Sequence, residues 1–283
     1  MERLTMPTIL PPCRLLVDVA WLRANLGSSS LLCIDARNAE EFAKGHLPGA
    51  VNVDTYAWGW YDTSPAGLQA YTRKMAGLIA GLGVRRQDAV LFYQGTSGML
   101  AARGVWLLHY LGRQRVAMLD GGLRDWAETG GEVTIEVREP RAAVAPGDAP
   151  IPDAACLASY TYVRERMGDK ASIILDVRAD DEYRGENVRA SRGGTIPGSV
   201  HLEWQECLGA DRRFLPPQAL RELFVGRGVT PEREVITFCQ GGARSSHTYL
   251  ALRQAGYPKV RNFIGSWHEW ADRHELPIET PQR

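Results

Sequence analysis

Neither sign of charge dominates this sequence of 283 residues, because 33 Lys and Arg residues balance 33 Asp and Glu residues. Without a basic field, the charge does not favour a nucleic acid or an anionic membrane as a partner. No stretch approaches the ~18 consecutive apolar residues of a membrane-spanning helix. Residues 1–12, in which prolines interrupt a short apolar run, match a secretory signal peptide poorly. We therefore expect neither nucleic-acid nor membrane partners.

Cysteine is scarce and scattered. The five cysteines form no Cys-x-x-Cys pair, and an odd, dispersed set predicts neither a disulfide framework nor a zinc or other metal site. Unpaired thiols are typical of a reducing compartment, so we expect a cytoplasmic location. Four cysteines lack the loop described below for Cys239 and are interpreted as structural: Cys13, Cys33, Cys156 and Cys207.

Four sequence features of the first half recur in the second half, in the same order and at nearly constant spacing. The pairs, with their separations in residues, are Asp35 and Asp176 (141), Gly49 and Gly198 (149), Gln94 and Cys239 (145), and Trp126 and Trp270 (144). Four ordered matches at one spacing predict a duplicated domain. We place a first domain at 1–136, an Ala- and Pro-rich linker at 137–152, and a second domain at 153–283.

Each half alternates short apolar strands with helices. In the first half, for example, a buried strand from Ala89 to Tyr93 precedes a helix from Met99 to Leu111. This alternation predicts an α/β fold in each copy, with a mainly parallel sheet and helices on both faces. Ligands bind at the strand ends of such sheets. There the first copy has Gln94 where the second has Cys239, so only the second copy is expected to carry chemistry.

Cys239 begins a tight loop between the strand Val235 to Phe238 and a helix predicted from Ser245 to Ala255. Such a loop directs successive backbone N–H groups at one point, and the positive end of the following helix faces the same place. Together with Arg244, these features lower a cysteine pKa from ~8.5 into the range of roughly 3.5–7.5. We interpret Cys239 as a reactive thiolate, the alternative being a buried structural cysteine. The rest of the loop is Gln240, Gly241, Gly242 and Ala243.

The second copy also has eight extra residues, which lie within 182–193. This insert contains three arginines: Arg184, Arg189 and Arg192. Each alone is typical of a solvated loop, but beside an anion-binding loop Arg184 and Arg189 are candidates for substrate binding.

Taken together, these motifs resemble the tandem-domain rhodaneses, which are the thiosulfate and 3-mercaptopyruvate sulfurtransferases. The resemblance rests on the two Asp-x-Arg strands, the Gly-His-Leu-Pro-Gly-Ala turn, the Cys239 loop and the Gly-Ser-Trp-His-Glu-Trp segment, and it runs from about Leu15 to Ile278. It implies two rhodanese-like domains, an inactive first and an active second. It also implies a persulfide carried on Cys239 and a site at the domain interface.

The loop and the insert distinguish between sulfur donors. The mercaptopyruvate enzymes typically have Ser where this chain has Gly241, and a carboxylate-binding Arg where it has Glu182, which repels an anionic substrate. Animal thiosulfate enzymes have cations directly after the cysteine, where this chain has Gln240 and Gly241. The Cys-Gln-x-x-x-Arg loop is similar to that of bacterial thiosulfate sulfurtransferases. Glu182 and Arg244 therefore favour thiosulfate, with 3-mercaptopyruvate as the alternative.

The hypothesis is a double displacement without metal or organic cofactor. The Cys239 thiolate attacks the outer sulfur of thiosulfate, sulfite leaves, and a thiophilic acceptor such as cyanide or a thiol takes the sulfur from the persulfide. Arg244 offers fixed N–H donors to the sulfonate or the persulfide. Asp176 is expected to orient the loop or Arg244, or else simply to cap its strand.

Aromatic residues complete the predicted pocket. Trp204 of the second domain, with Trp58, Trp60 and Tyr61 of the first, is a candidate wall, the alternative being core packing. His46 is interpreted as a hydrogen-bonding turn residue.

Two other functional classes are open. Cys-x5-Arg loops on related folds belong to phosphatases and arsenate reductases, but here the spacing from Cys239 to Arg244 is Cys-x4-Arg, which leaves a smaller cradle suited to one sulfur atom. A persulfide carrier or sensor that hands sulfur to a partner protein is the second alternative.

Overall fold

The computed structural model of the chain describes residues 9–11, 14–139, 141–144 and 152–281. The prediction for Cys13 lies outside the described residues. Within them, two five-stranded sheets follow one another along the chain, and all their strand pairs are parallel. The predicted α/β architecture, in two copies, is confirmed.

The first domain alternates strands and helices throughout. Its elements are β1 (Leu16–Val17), α1 (Val19–Asn25), β2 (Leu31–Asp35), α2 (Ala39–Lys44), β3 (Val51–Asn52), α3 (Pro65–Gly81), β4 (Ala89–Tyr93), α4 (Met99–Tyr110), β5 (Val116–Leu119) and α5 (Gly122–Glu128). A 3-10 turn at Thr55–Trp58 precedes α3.

The second domain repeats this order. Its elements are β6 (Leu157–Ala158), α6 (Tyr160–Arg166), β7 (Ser172–Asp176), α7 (Asp180–Tyr183), β8 (Val200–His201), α8 (Pro217–Gly226), β9 (Glu234–Phe238), α9 (Ala243–Gln254), β10 (Val260–Phe263) and α10 (Ser266–Asp272). A 3-10 turn at Trp204–Cys207 precedes α8.

The two sheets have equivalent strand orders, β1-β5-β4-β2-β3 and β6-β10-β9-β7-β8. The middle strands, β4 and β9, are therefore equivalent, and Gln94 and Cys239 directly follow them. The long strands are nearly continuous apolar runs, as expected for parallel sheets covered on both faces. The predicted site thus lies at the centre of the second sheet's carboxyl edge.

Each sheet has one face on a core shared by the two domains and one face on a core of its own. The shared core includes buried residues of α3 and α4 from the first domain and of α8 and α9 from the second. The outer cores contain residues of α1, α2 and α5 in one domain, and of α6 and α10 in the other. Helix α4 packs against α9, so the residues after the two middle strands are close to the domain interface.

Helix α9 begins at Ala243, two residues before the predicted start at Ser245. The reason is Gly242, whose φ of +86° turns the chain directly into the helix. Arg244 consequently lies in the first helical turn rather than in the loop.

Other predicted features can be located in the fold. The His46 ring contacts the carbonyls of Phe42 (2.9 Å) and Glu136 (3.1 Å), in agreement with a hydrogen-bonding turn residue. In the described parts of 137–152, the chain forms no helix or strand. None of the described helices has the length and apolar character needed to cross a bilayer.

Candidate active site

The Cys239 sulfur is enclosed by hydrogen-bond donors. The residue is 1% exposed, and its Sγ accepts the Gly242 N–H at 3.2 Å, while Ser245 Oγ lies 3.5 Å away. A Cβ added at Gly242 would lie 2.9 Å from the Ile264 carbonyl oxygen, so this position requires glycine both for its left-handed φ and for space. The loop therefore presents backbone and side-chain donors to the sulfur.

The start of α10 holds this loop in place. The N–H groups of Trp267 and His268 donate to the carbonyls of Cys239 (2.9 Å) and Gln240 (3.0 Å). In the first domain, the start of α5 makes the same two bonds to the carbonyls that follow β4. The scaffold of the loop is thus present in both domains, and only the second has the thiol.

The surroundings lower the pKa of the Cys239 thiol below its ordinary value of 9.0. Burial alone would raise it, but the Arg244 charge and hydrogen bonds from Ser245 and the Gly241 N–H outweigh burial. Burial raises the pKa of the other described cysteines, to about 12 for Cys33 and about 11 for Cys156, and also raises that of Cys207. Cys239 is thus distinguished chemically among the described thiols.

Arg244 forms a two-point ion pair with Glu182. Its Nη2 donates to Glu182 Oε1 at 2.9 Å, and its Nη1 donates to Oε2. The Glu182 side chain is 3% exposed. Burial raises the pKa of this carboxyl, but the bonds and charge of Arg244 outweigh burial and lower it. The same pair, helped by the Cys239 charge, raises the pKa of Arg244 against its own burial. Both groups are therefore ionised.

The arginines of the insert have separate environments. Arg189 lines the cavity, with Nη1 3.4 Å from Glu182 Oε1 and a side chain 49% exposed. Its carbonyl accepts a bond from Gln240 Nε2 at 2.9 Å. Arg184 instead pairs with Asp180 and Glu186. Arg192 donates to carbonyls at the end of α10 and just beyond it: Trp270, Ala271, Arg273 and Leu276. Of these three arginines, Arg189 contacts the cavity.

Asp176 lies fully buried beside Arg178 and Thr195. It accepts Arg178 Nε at 2.9 Å and Thr195 Oγ1 at 2.7 Å, whereas Arg244 is bonded to Glu182. The first domain has the same arrangement in Asp35 and Arg37, with Nε at 2.9 Å. Because the pair recurs in the domain without the thiol, its contacts are those of a strand-end brace.

A cavity of about 280 Å³ opens onto the Cys239 loop between the two domains. Its lining from the second domain is Arg189, Trp204, Cys239, Gln240, Gly241, Ala243 and Arg244, and from the first domain Tyr56, Tyr61, Met99 and Arg103. Trp204 and Tyr61 thus occupy the predicted wall. Trp58 and Trp60 lie instead around a second, very small cavity behind the loop, next to Gly241 and Gly242.

Sequence reasoning did not identify three of the lining residues of the first domain: Tyr56, Met99 and Arg103. A signal was available for Arg103, the one arginine in the apolar helix α4, where it is 6% exposed. Its Nη1 donates to the carbonyls of Thr55 (3.2 Å) and Tyr56 (3.1 Å), and its Nη2 donates to the Gly241 carbonyl. A charge from the first domain therefore contacts the Cys239 loop directly.

In the parts of the chain that the structure describes, no group of three or more His, Cys, Asp or Glu side chains is placed to hold a metal ion.

Comparison with known proteins shows the family. The model of the Rhodanese-like domain matches residues 18–129 and 159–273. The chain is 35% identical over 272 residues to a thiosulfate sulfurtransferase of Azotobacter vinelandii, covering 94% of this chain and 97% of that protein. It is 32% identical over 286 residues to a probable 3-mercaptopyruvate sulfurtransferase of Pseudomonas aeruginosa, covering 94% and 98%.

Among solved structures, the fold matches that of an anaerobic ergothioneine biosynthesis enzyme from Chlorobium limicola. The TM-score is 0.81 at 22% identity, over 100% of this chain and 72% of that one. Both copies of the predicted fold thus correspond to a known domain: the chain belongs to the rhodanese family and contains two rhodanese-like domains.

Proposed function

We propose that the protein is a sulfurtransferase that carries sulfane sulfur on Cys239. The observation that supports this most directly is the position of the Cys239 sulfur, which has a lowered pKa and hydrogen-bond donors around it at a cavity between the domains. Relatives named thiosulfate and 3-mercaptopyruvate sulfurtransferases support the same reaction class. On this proposal, residues 153–283 carry the chemistry, while residues 1–136 supply part of the cavity wall.

The reaction consists of two displacements at sulfur. The Cys239 thiolate attacks the outer sulfur of thiosulfate, so the new S–S bond forms as the old one breaks, and sulfite leaves with the electron pair. In the second step, a thiophilic acceptor such as cyanide attacks the outer sulfur of the persulfide, forming thiocyanate and regenerating the thiolate. No oxidant, metal or organic cofactor enters the balance.

The loop stabilises each anionic state in turn. The Gly242 N–H and the start of α9 favour the thiolate and then the persulfide. Arg244 contributes its charge from the first turn of the helix. Arg189, exposed at the cavity, is the cation available to a sulfonate. Trp204 packs at the same cavity, and Arg184, bonded outside it, is assigned no contact with substrate.

Thiosulfate is the donor that this site favours. A carboxylate-bearing donor such as 3-mercaptopyruvate is held best by a free arginine fork, and Glu182 occupies the fork of Arg244. The same pair argues against a phosphatase, because Arg244 is bonded to Glu182 rather than available to surround a tetrahedral phosphate.

One comparison tests the proposal. We expect kcat/KM with cyanide as acceptor to be higher for thiosulfate than for 3-mercaptopyruvate, and thiosulfate alone to add one sulfur atom to Cys239, as seen by peptide mass spectrometry. A preference for 3-mercaptopyruvate would overturn the assignment of thiosulfate as the sulfur donor. A stable persulfide with negligible turnover would support a sulfur carrier instead, and hydrolysis of an aryl phosphate would support a phosphatase.

A further inference from the structure

Arg103 is a buried cation at the domain interface. Its three hydrogen bonds to described residues all go to carbonyl oxygens, those of Thr55, Tyr56 and Gly241. Among the described residues, no carboxylate forms an ion pair with it. Burial of an unpaired charge is costly unless something compensates it. The negative charge of the Cys239 thiolate offers such compensation, because it counteracts the lowering of the Arg103 pKa by burial.

The peptide between Gly241 and Gly242 joins Arg103 to the sulfur. Its carbonyl oxygen accepts the bond from Arg103 Nη2, and its N–H donates to Cys239 Sγ at 3.2 Å. In a planar trans peptide the C=O and N–H point in opposite directions, and no described peptide is cis. A cation that holds the oxygen therefore fixes the direction of the N–H, and polarises it toward the sulfur.

The mirror-image contact on the other side of the interface is neutral. His247 of helix α9 contacts the loop of the first domain, and its Nε2 lies 3.2 Å from the Ser97 carbonyl oxygen. Burial lowers the pKa of His247 to about 3, so this ring is uncharged. Arg103 and His247 thus make equivalent contacts, each from a helix of one domain to the loop of the other. The positively charged residue, Arg103, contacts the loop that contains Cys239.

We propose that Arg103 is a positioning residue supplied by the first domain: by holding the Gly241 carbonyl it aims the Gly242 N–H at Cys239 and stabilises the thiolate. The first domain thereby acts on the reacting sulfur through its charge as well as its shape. This inference rests on the proposed role of Cys239 as the nucleophile.

The test is the pH dependence of alkylation of Cys239 by iodoacetamide, in full-length protein reduced beforehand to remove any persulfide. Peptide mass spectrometry assigns the modified cysteine. The variants are Arg103→Lys, Arg103→Gln and Arg103→Met. We expect Arg103→Met to raise the thiol pKa by about one unit, which slows alkylation by about tenfold at a pH below both thiol pKa values. Arg103→Gln keeps a donor without the charge and should give a smaller rise. Arg103→Lys should restore most of the wild-type profile.

His247→Leu is the matched control, because it removes the mirror-image contact and leaves Arg103 in place. We expect it to lower the melting temperature without moving the thiol pKa. If Arg103→Met does not fold, Arg103→Gln decides the question. A wild-type thiol pKa in Arg103→Met, or in the Gln variant if only that one folds, would overturn the inference. So would an equal shift in His247→Leu.

Alkylation requires no sulfur donor, so the test distinguishes failure of this inference from failure of the proposed function. A shifted pKa in a protein that transfers no sulfur would leave the role of Arg103 intact and reject the sulfurtransferase. Normal sulfur transfer by the wild type, with no shift of the thiol pKa in the Arg103 variants, would reject the role of Arg103 and leave the proposed sulfurtransferase intact.

Discussion

Arg244 and Glu182 are bound to each other at the wall of the cavity that contains Cys239, with Nη2 2.9 Å from Oε1 and Nη1 bonded to Oε2. The pair is nearly buried, with side-chain exposures of 13% and 3%. From sequence alone, Glu182 is expected to repel an anionic substrate and Arg244 to bind it. In the structure the two partly neutralise each other. Arg189 is more exposed at the cavity than Arg244, and it is therefore the cation more available to a substrate.

Glu182→Gln is predicted to shift the choice of donor. Removing the carboxylate frees the Arg244 fork and adds net positive charge beside Cys239, so the thiol pKa should fall. We expect the ratio of kcat/KM for 3-mercaptopyruvate to that for thiosulfate to rise by about tenfold, because one charge-assisted contact contributes about 1.5 kcal/mol or more. Steady-state assays of both donors with cyanide measure the ratio.

Glu186→Gln is the control for that prediction. Glu186 belongs to the same insert and also pairs with an arginine, Arg184, outside the cavity. It should leave the donor ratio unchanged. If the donor ratio were also unchanged in Glu182→Gln, the ion pair of Glu182 and Arg244 would not determine the choice of sulfur donor.

Arg244→Met is predicted to destabilise the fold as well as slow the reaction. In the wild type, Arg244 lowers the Glu182 pKa, so the pair contributes stability above the ordinary carboxyl pKa of about 4.3 that is lost as pH falls. In the variant, burial acts with less opposition and raises that pKa. The loss in unfolding free energy should therefore grow from pH 5 to pH 8, toward about 3 kcal/mol. Urea unfolding at the two pH values measures it.

The double variant Glu182→Gln/Arg244→Met separates folding from chemistry. It leaves no unpaired carboxylate, so most of the stability should return. Loss of the Arg244 charge should still raise the thiol pKa and keep the activity with thiosulfate low. A double variant as unstable as Arg244→Met would contradict the assignment of the loss to Glu182.

The pH dependence of turnover should follow the Cys239 thiol. Because its pKa lies below 9.0, kcat/KM for thiosulfate should rise with pH as the thiol ionises, with a midpoint below pH 9.0. The same pKa should appear in the alkylation rate of Cys239. Cys239→Ser should reduce turnover to background, since a serine hydroxyl stays protonated in this range. A midpoint above pH 9.0, or activity that survives in the serine variant, would assign the nucleophile elsewhere.

The duplicated fold and the Cys239 loop could be predicted because their signals are local. Alternating apolar strands and helices, and glycines at turns, are encoded within a few residues. The repeat shows the same features a second time in the same order, which supports the prediction of a duplicated domain. The predicted start of α9, Ser245, lies two residues after the observed start, because a glycine at positive φ is not distinguishable by sequence from one in an ordinary turn.

Contacts across the interface could not be predicted in the same way. Arg103 and Gly241 are 138 positions apart, and they meet because α4 packs on α9, which no local pattern specifies. The pairing of Glu182 with Arg244 depends likewise on the path of the insert. For Asp176, sequence left two roles open, and the contacts with Arg178 and Thr195 match the strand-end role.

Thr63 connects the first domain to a buried carboxylate of the second, and Thr63→Val should weaken this contact. Its N–H and Oγ1 donate to the two carboxylate oxygens of Glu269, at 2.8 and 2.6 Å. Burial raises the Glu269 pKa, against the bonds from Thr63 and Arg273. Because the folded-state pKa is raised, this carboxyl favours the fold at low pH, and that contribution is lost as pH rises. Loss of the hydroxyl raises the pKa further, so Thr63→Val should cost about 1.5–3 kcal/mol at pH 8 and less at pH 5.

Thr72→Val is the matched control for this last measurement. The Thr72 hydroxyl donates to the Leu68 carbonyl at 2.8 Å and lies 2.7 Å from the Tyr110 hydroxyl, with no carboxylate among these partners. Its loss should lower the unfolding free energy equally at both pH values. If Thr63→Val behaved in the same way, its hydroxyl would be an ordinary packing contact, because a bond that stabilises an ionised carboxylate must weaken as that carboxylate becomes protonated.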